Sequence, residues 1–290
     1  MQKSIVYFTP EITSDALLRI YHALAHPLSG RVAVKISTGE PGGHNFLQPA
    51  LIAPLVDALH GTIVECNTAY EGRRNTTEEH WKAIREHGFM DIAPCDIMDA
   101  DGDLELPVIG DDRCHLTSNY VGAHLQQYDS MLLLNHFKGH VMGGFGGALK
   151  NMSIGVASAY GKAVIHGAGD PKEIWTADHD SFLESMAEAD RAVMDYMGRR
   201  NLLYISVANR LSIDCDCDSN PHEPEMADLG IFASVDPVAL DQACYDAVKN
   251  ADDPGKASLI ERMDSRNAIR IVERACELGC GKRDYELVRL

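Results

Sequence analysis

The sequence predicts an α/β fold, with a mostly parallel sheet, helices on both faces and a small β-rich excursion. Short apolar runs alternate with longer segments of helical apolar spacing, which is typical of parallel strands joined by crossover helices. Turn residues interrupt this alternation only in residues 91–109. With 45% apolar residues, the 290-residue chain can build a full core. We therefore expect a single α/β unit over residues 1–290, with two lobes that meet near residues 110–130 as the alternative.

Each predicted element in the first half of the chain has its own signal. Apolar runs typical of buried strands cover residues 4–8, 31–36 and 62–65. Helical spacing of apolar residues predicts helices over residues 14–25, 49–59 and 76–87. Thr or Ser residues stand where they can cap the first and third of these helices. In residues 91–109 the turn Asp101-Gly102-Asp103 separates short apolar stretches, which predicts a hairpin.

The second half resumes the alternation. Apolar runs predict strands over residues 131–136, 202–207 and 229–233. Helical spacing predicts helices over residues 178–200, 236–248, 258–263 and 268–277. Pro237 falls in the first turn of one of them, where proline is tolerated. The predicted sheet therefore draws its strands from the whole chain.

The most informative stretch is the Gly-rich segment that follows the predicted strand 131–136. It starts with His136 and His140, and it ends with Lys150 and Asn151. Four glycines lie between His140 and Lys150, namely Gly143, Gly144, Gly146 and Gly147. Glycine lets the backbone approach a ligand closely, and α/β proteins bind ligands beyond the carboxyl ends of their strands. We predict a ligand or reaction site here, with Gly146, Gly147 and Asn151 as ligand-binding residues.

Lys150 and two histidines around this segment carry side chains that can take part in acid–base or covalent chemistry. Lys150 can hold a phosphate, form an imine or carry a covalent cofactor. A solvated lysine in a first helical turn is the alternative, although the helix dipole disfavours a cation there. His166 follows 16 residues later, after an apolar run. We predict His140 and Lys150 as catalytic residues and expect both to share one cleft with His166.

Cys215 and Cys217 form a second candidate site, in an Asp-rich segment. Two thiols one residue apart, near carboxylates and a histidine, can bind zinc or another thiophilic metal. Together with His136 and His166 they are the candidate metal ligands. A strand-to-turn segment with structural cysteines is the alternative. We predict that both thiols are reduced and lie near the Gly-rich segment.

Two loops that follow predicted strands are further candidates for ligand binding. His44 and Asn45 lie in a Gly-rich loop after the second strand, where an open parallel sheet binds ligands. Arg73 and Arg74 follow the third strand and could clamp a carboxylate or a phosphate. A plain flexible turn and a solvated loop, respectively, are equally compatible with these two segments.

Charge and composition argue against several classes of partner. The chain has 43 acidic and 26 basic residues, for a net charge of −17, whereas nucleic-acid binding depends on clustered Lys and Arg. No apolar run approaches the roughly 20 residues of a membrane span, and the first strand leaves no room for a signal peptide. The eight scattered cysteines are typical of reduced cytosolic thiols. We expect a cytoplasmic protein without nucleic-acid or membrane partners, and a homo-oligomer is left open.

Several segments together resemble the domain of unknown function 362 family, whose members are often described as iron–sulfur-centre proteins. The matching segments are residues 48–56, the Gly146-Gly147-Ala148-Leu149-Lys150-Asn151 turn, and residues 185–189, 215–217 and 228–241. One departure matters, because many relatives insert a ferredoxin-like cluster domain between the Lys-Asn turn and the helix that follows. Here residues 152–184 contain no cysteine. Since a ferredoxin-type cluster needs four cysteine thiolates, we expect no iron–sulfur cluster.

The spacing of three residues also resembles the nickel-dependent lactate racemase family. That family has a His, then a Gly-Gly stretch, then a Lys bearing a covalent nickel-pincer nucleotide, then a His on the metal. His140, Lys150 and His166 are ten and sixteen residues apart, as in that family. The Gly-Gly pair is shifted by one position, and no second acid/base His stands upstream. The resemblance implies an acid/base role for His140, an anchoring role for Lys150 and metal ligation by His166.

The sequence thus predicts an enzyme that binds a small anionic molecule or a metal-bearing cofactor, with racemase- or isomerase-like acid–base chemistry. Nickel and zinc are the divalent metals that the candidate ligands suit. The alternative is a non-catalytic metal-binding or electron-transfer protein centred on Cys215 and Cys217. Metal bound at His166 beside Lys150 favours the first function, and metal confined to the cysteines favours the second.

Overall fold

A computed structural model describes residues 3–111 and 113–290. In the first hundred residues, strands and helices alternate as the sequence predicts. These elements are β1 (Ser4–Thr9), α1 (Ser14–Ala23), β2 (Val32–Lys35), α2 (Pro49–Ala58), β3 (Thr62–Glu65), α3 (Thr77–Glu86) and β4 (Cys95–Ile97). The hydroxyls of Thr13 and Thr76 cap α1 and α3, because each accepts a backbone N–H of the first turn.

The middle of the chain holds short strands and short helices. These elements are β5 (Asp103–Pro107), β6 (Ser118–Gly122), β7 (Ser130–His136), β8 (Lys138–His140), β9 (Gly144–Gly146), α4 (Ala148–Ser153) and α5 (Ala159–His166). Strands β5 and β6 form the β-rich excursion as an antiparallel pair. The hairpin predicted around Asp101-Gly102-Asp103 is not found, because β4, before that turn, joins the main sheet beside β3, whereas β5, after it, pairs with β6 from beyond residue 109.

The last third is dominated by helices. These elements are α6 (His179–Met197), β10 (Leu202–Ala208), β11 (Gly230–Ser234), α7 (Pro237–Asn250), α8 (Lys256–Ser265), α9 (Ile269–Glu277) and β12 (Tyr285–Arg289). Helix α6 is shorter than the predicted 178–200, because Gly198 has a φ of 79° and cannot continue a right-handed helix. None of the described helices combines the length and the apolar character that a membrane crossing requires.

Eight strands form one sheet in the order β12-β1-β11-β10-β7-β2-β3-β4. Its neighbours run parallel except at β11, which is antiparallel to both β1 and β10. The predicted mostly parallel sheet is confirmed. Because β7, β2 and β3 are adjacent and parallel, their carboxyl ends meet at one edge of the sheet.

Helices cover both faces of this sheet, as predicted. Successive residues of β7 point to opposite sides, so that Leu132 and Leu134 pack with α1, α2 and α3, whereas Met131 and Leu133 pack with the later helices. Both clusters consist of buried side chains. Because β7 is buried on both faces, its polar residues stand only at its two termini, Ser130 at the start and Asn135 and His136 at the carboxyl end.

Candidate functional site

Two adjoining cavities lie at the edge where β2, β3 and β7 end. The inner chamber, of about 90 Å³, is bordered by residues from the ends of all three strands, including Lys35, Glu65 and Asn135. The outer cleft, of about 600 Å³, lies beside it. Lys150 and the two cysteines, Cys215 and Cys217, line both cavities and therefore lie between them. This position is where open α/β sheets bind their ligands.

The inner chamber is rich in cations, although the chain as a whole is strongly acidic. Its charged lining comprises five cationic side chains and two carboxylates, namely Lys35, Arg74, Lys138, Lys150, Lys162, Glu65 and Asp216. All of these side chains are buried except that of Lys150, which is half-buried. Such a cluster creates a positive potential that attracts an anion, because buried charges are poorly screened by solvent.

Most of these cations are bound by protein groups. Lys35 Nζ donates to Glu65 at 2.8 Å, and Lys138 Nζ lies 2.9 Å from Asp216. Lys162 Nζ donates to the carbonyl oxygen of Ala157 at 2.6 Å. Within the described part of the chain, the ammonium group of Lys150 has no hydrogen-bond or ion-pair partner. Lys150 is therefore the cation that is free to contact a ligand.

The electrostatic surroundings of Lys150 favour its neutral amine. Burial, followed by the positive charges of Lys138, Lys35 and Lys162, lowers its pKa to about 7, while Asp216 opposes the shift. A lysine with such a pKa is partly unprotonated at neutral pH. It can then act as a base or as a nucleophile.

The backbone before Lys150 is held by a carboxylate from α7. Asp241 accepts the backbone N–H of Ala148 at 2.7 Å and that of Leu149 at 2.9 Å, which fixes the start of α4. Gly147 is required next to this contact, since a Cβ there would collide with the carboxylate of Asp241. Asn151 donates to the carbonyl oxygen of Lys35 at 3.1 Å and to Asn135 at 2.8 Å, which ties α4 to the strand ends.

His140 lines the outer cleft with a defined tautomer. Its Nδ1 accepts the backbone N–H of Met142 at 3.2 Å and that of Gly143 at 2.9 Å, so the neutral imidazole carries its proton on Nε2. Burial, together with Lys150 and Lys138, holds the pKa of His140 well below its usual range. His140 is thus a neutral hydrogen-bond donor.

His166, at the end of α5, lines the same cleft as His140 and Lys150. Its ring stacks on Phe182 with centroids 4.8 Å apart. Burial, followed by the charges of Lys150 and Lys162, lowers its pKa to about 3. Its buried Nδ1 has no hydrogen-bond partner among the described residues. The structure therefore brings the three expected side chains together around one cleft.

His136 does not fit the predicted role of metal ligand. Its Nδ1 is 2.8 Å from Asp216 Oδ1, and its Nε2 is 2.7 Å from the carbonyl oxygen of Asn209. Because both ring nitrogens contact protein oxygens, His136 offers no nitrogen to a metal. It instead holds Asp216 in place, together with Lys138.

The prediction of reduced cysteines is wrong for the pair at 215 and 217, which form a disulfide in the structure. The expected position near the cleft is found, since both residues line it. A ring nitrogen of His140 and the two sulfurs all lie within 4.8 Å of one another. The sequence did not point to His140 as the neighbour of these cysteines, because 75 residues separate them.

The two other predicted loops lie mostly at the rim. His44 contacts Glu223 at 2.9 Å, and Asn45 donates to the carbonyl oxygen of His222 at 3.5 Å; neither borders the two cavities. Arg73 borders the outer cleft, but its guanidinium makes two 2.7 Å hydrogen bonds to Glu86. The arginines therefore contact protein carboxylates where the sequence suggested a ligand clamp.

Arg74 is buried in the wall of the inner chamber. Its guanidinium lies 3.0 Å from Glu40 and 3.4 Å from Glu65. Gly146, Gly147 and Asn151 also border this chamber. Sequence reasoning missed Lys35, Lys138 and Lys162. The available signal was a lysine that closes an apolar strand, as Lys35 does in β2.

Comparisons with known proteins agree with this architecture. The family model described as "Domain of unknown function (DUF362)" matches residues 32–246. No curated protein matches the sequence. In structure, the chain is similar to the lactate racemase apoprotein from Thermoanaerobacterium thermosaccharolyticum, with 14% identity and a TM-score of 0.51 over 84% of this chain.

The chain spans 57% of the length of that racemase structure, so the likeness concerns the shared fold. A second similar structure is a protein from Thermotoga maritima, with 14% identity and a TM-score of 0.49. That match covers 81% of this chain and 58% of the other.

Proposed function

The chain belongs to the family described as a domain of unknown function (DUF362), and we propose that this member is an enzyme that binds a small carboxylate or phosphate compound in the outer cleft and uses Lys150 for proton transfer. The position of Lys150 carries the proposal. Its amine has no partner among the described residues, and Lys150 lines both the cation-rich chamber and the adjoining outer cleft.

The anion is attracted by the inner chamber. Lys35, Lys138 and Lys162 provide buried positive charge that the neighbouring carboxylates offset only in part. A bound carboxylate or phosphate there would offset part of this positive charge and so raise the pKa of Lys150 above its value in the free protein. The reacting carbon of the ligand would then lie toward the outer cleft, next to the amine.

Lys150 and His140 divide the acid–base work in this proposal. The neutral amine of Lys150 takes a proton from the carbon next to a carbonyl or carboxylate group, and its pKa of about 7 makes that form abundant at neutral pH. His140 donates from Nε2 to the oxygen on which negative charge develops, since its Nδ1 is held as an acceptor. This assigns His140 a stabilising role and leaves the base to Lys150.

If the enzyme uses a divalent metal, nickel or zinc, His166 is the residue beside Lys150 that would hold it. His166 is neutral, as a metal-ligating imidazole must be, and its Nδ1 has no partner among the described residues. His166 would hold the metal, and a metal there supplies Lewis acidity toward a substrate oxygen. The proton transfer proposed for Lys150 does not depend on it.

Binding and proton exchange test the proposal separately. A panel of 2-hydroxy acids, 2-oxo acids and phosphate esters is screened by calorimetry, and exchange of the proton next to the carboxylate is followed in deuterated water by NMR. We expect the wild-type chain to bind at least one compound and to catalyse exchange. Lys150→Arg should keep binding and lose exchange, because guanidinium does not deprotonate in proteins. Lys150→Met should lose both.

Lys172→Met is the matched control, because this exposed lysine lies outside both cavities. It should bind and exchange as the wild type does. The proposal is rejected if the wild type binds nothing in the panel, or if Lys150→Met binds and exchanges normally.

A further inference from the structure

The disulfide between Cys215 and Cys217 occupies an unusual place for a structural crosslink. It joins residues only two apart, so it closes a very short loop, and it borders the cleft that contains Lys150. Cys215 is buried and Cys217 is half-buried at the cleft wall. A crosslink of such short span constrains little of the unfolded chain, so its contribution to stability is small.

The loop that carries the sulfurs is held independently of the disulfide. The side chain of Asp216, between the two cysteines, contacts His136 at 2.8 Å and Lys138 at 2.9 Å. Its carbonyl oxygen accepts the backbone N–H of Glu40 at 2.7 Å. Because these contacts do not involve sulfur, they persist when the disulfide is reduced. The two thiols would then stay beside His140.

The donor atoms of this site are brought together by the fold, since Cys215 and Cys217 lie beside His140 in the cleft wall. Two thiolates and an imidazole, with ligand atoms within 4.8 Å of one another, make the donor set that zinc and other soft divalent ions prefer.

We propose that Cys215, Cys217 and His140 form a thiophilic metal site that the disulfide closes and a dithiol reductant opens. The reductant transfers two electrons and two protons to the disulfide, which yields two thiols, and is itself oxidised to a disulfide. The metal then displaces the two thiol protons. This site goes beyond the proposed function, since it forms without substrate and without chemistry at Lys150.

Metal binding at this site also changes His140. A neutral imidazole that ligates a metal carries its proton on the other nitrogen. When Nε2 takes the metal, the proton moves to Nδ1, where it would face the backbone N–H groups of Met142 and Gly143 donor to donor, so this turn has to move away from the ring. His140 then has no N–H directed into the cleft. Metal at the thiolates and hydrogen-bond donation by His140 therefore exclude each other, which makes the site a candidate regulator of the enzyme.

Thiol counting and cobalt binding on the full chain test this inference. Alkylation in denaturant, which exposes the buried cysteines, should label six of the eight cysteines of the protein purified without reductant, and all eight after reduction. Co²⁺ is then added to the oxidised protein and to the phosphine-reduced, desalted protein under argon. We expect a thiolate-to-cobalt charge-transfer band, with one ion per chain, only in the reduced sample.

Three variants assign the ligands. Cys217→Ser should lose the charge-transfer band, whereas Cys95→Ser, which changes a free half-buried cysteine elsewhere, should keep it. His140→Ala should weaken cobalt binding at least about tenfold, the lower end of the effect of losing a partner around a metal. Circular dichroism establishes that each variant is folded. Lys150→Met, which removes the proposed function, should still form the cobalt site.

Four results would overturn the inference. They are the absence of the band in reduced wild-type protein, its presence in oxidised protein, its persistence in Cys217→Ser, and unchanged cobalt affinity in His140→Ala. Each of these leaves the proton-exchange test of Lys150 unaffected, so the two proposals fail separately.

Discussion

Single residues in the inner chamber differ mainly in what balances their charge. Lys35 and Arg74 are both buried and share the carboxylate of Glu65, at 2.8 Å and 3.4 Å. Burial alone would raise the pKa of Glu65, but Lys35 and Arg74 outweigh it and lower the pKa to about 2. Glu65 is therefore ionised and holds two cations in the wall. Among the described residues, no carboxylate pairs with Lys150. Its amine is therefore the one that we propose for proton transfer.

Glu65→Gln should destabilise the fold by about 3–5 kcal/mol, because it leaves two buried cations without their shared carboxylate. The folded-state pKa of Glu65 lies below its ordinary value, so its ionised form stabilises the protein above pH 4.5 and that stabilisation is lost as pH falls toward about 2. Urea unfolding at several pH values measures both effects. In the variant, stability should fall less between pH 4.5 and pH 2.

Glu78→Gln serves as the control for this experiment, because Glu78 pairs with Lys82 on the exposed surface of α3. Exposed pairs contribute little, so its unfolding curves should follow those of the wild type. Equal losses in Glu65→Gln and Glu78→Gln would contradict the role given to Glu65.

At the scale of elements, the junction between β9 and α4 sets the position of Lys150. Asp241 on α7 accepts two backbone N–H groups at the start of α4. Gly147 leaves the space that this carboxylate needs. The helix that carries Lys150 is thus positioned by another helix as well as by its own Asn151.

Gly147→Ala should displace Asp241 and destabilise the protein by about 1–3 kcal/mol, as overpacking does in tightly packed sites. Gly146→Ala is the matched control, since the nearest atom to its Cβ would be Lys138 Nζ at an ordinary 3.4 Å. Urea unfolding compares the two variants. Equal losses of stability in the two variants would show that the contact between Gly147 and Asp241 does not stabilise this junction.

Helices and strands differ in how far their sequence pattern predicts them. Long periodic segments such as α6 and α7, and apolar runs such as β7 and β10, were predictable because burial on one or both faces leaves a pattern. Strands β8 and β9 have three residues each, which is too few for a pattern, and the sequence showed only a Gly-rich loop. Strand β12 is exposed at the sheet edge and lacks an apolar run.

The site was predictable where its residues are close in sequence to a strand end. His140, Lys150 and His166 were found through the Gly-rich segment and the apolar run before His166. Lys138 was missed because its charge is balanced by Asp216, some 78 residues later, and no local pattern records that contact. The disulfide was missed because the composition of the whole chain favoured reduced thiols.

The whole molecule combines a surface of strong negative charge with a cationic interior site. The net charge of −17 repels anions at long range, whereas the lysines of the inner chamber attract them at short range. At the mouth of the outer cleft lies Trp175, which is 71% exposed. This tryptophan reports on ligand entry, because the chain has only one other, Trp81.

Trp81→Phe leaves Trp175 as the single tryptophan. Binding of an anion from the screened panel should change its emission, because the ligand alters the solvent contact of the indole. Lys150→Met in the same background should abolish that change, and Trp175→Phe should show none with Trp81 alone. A ligand response confined to Trp81 would place the binding site elsewhere.

The proposed proton transfer requires that Lys150 present an amine of lowered pKa in the cleft. Competitive acylation measures that pKa. The full chain is labelled with trace acetic anhydride from pH 5 to pH 11, and each lysine is quantified by peptide mass spectrometry. Lys150 should titrate with a midpoint near pH 7, far below the value of about 10.4 for lysines in model peptides. The exposed Lys172, quantified in the same samples, is the internal comparison. Equal midpoints for Lys150 and Lys172 would rule out the lowered pKa of Lys150.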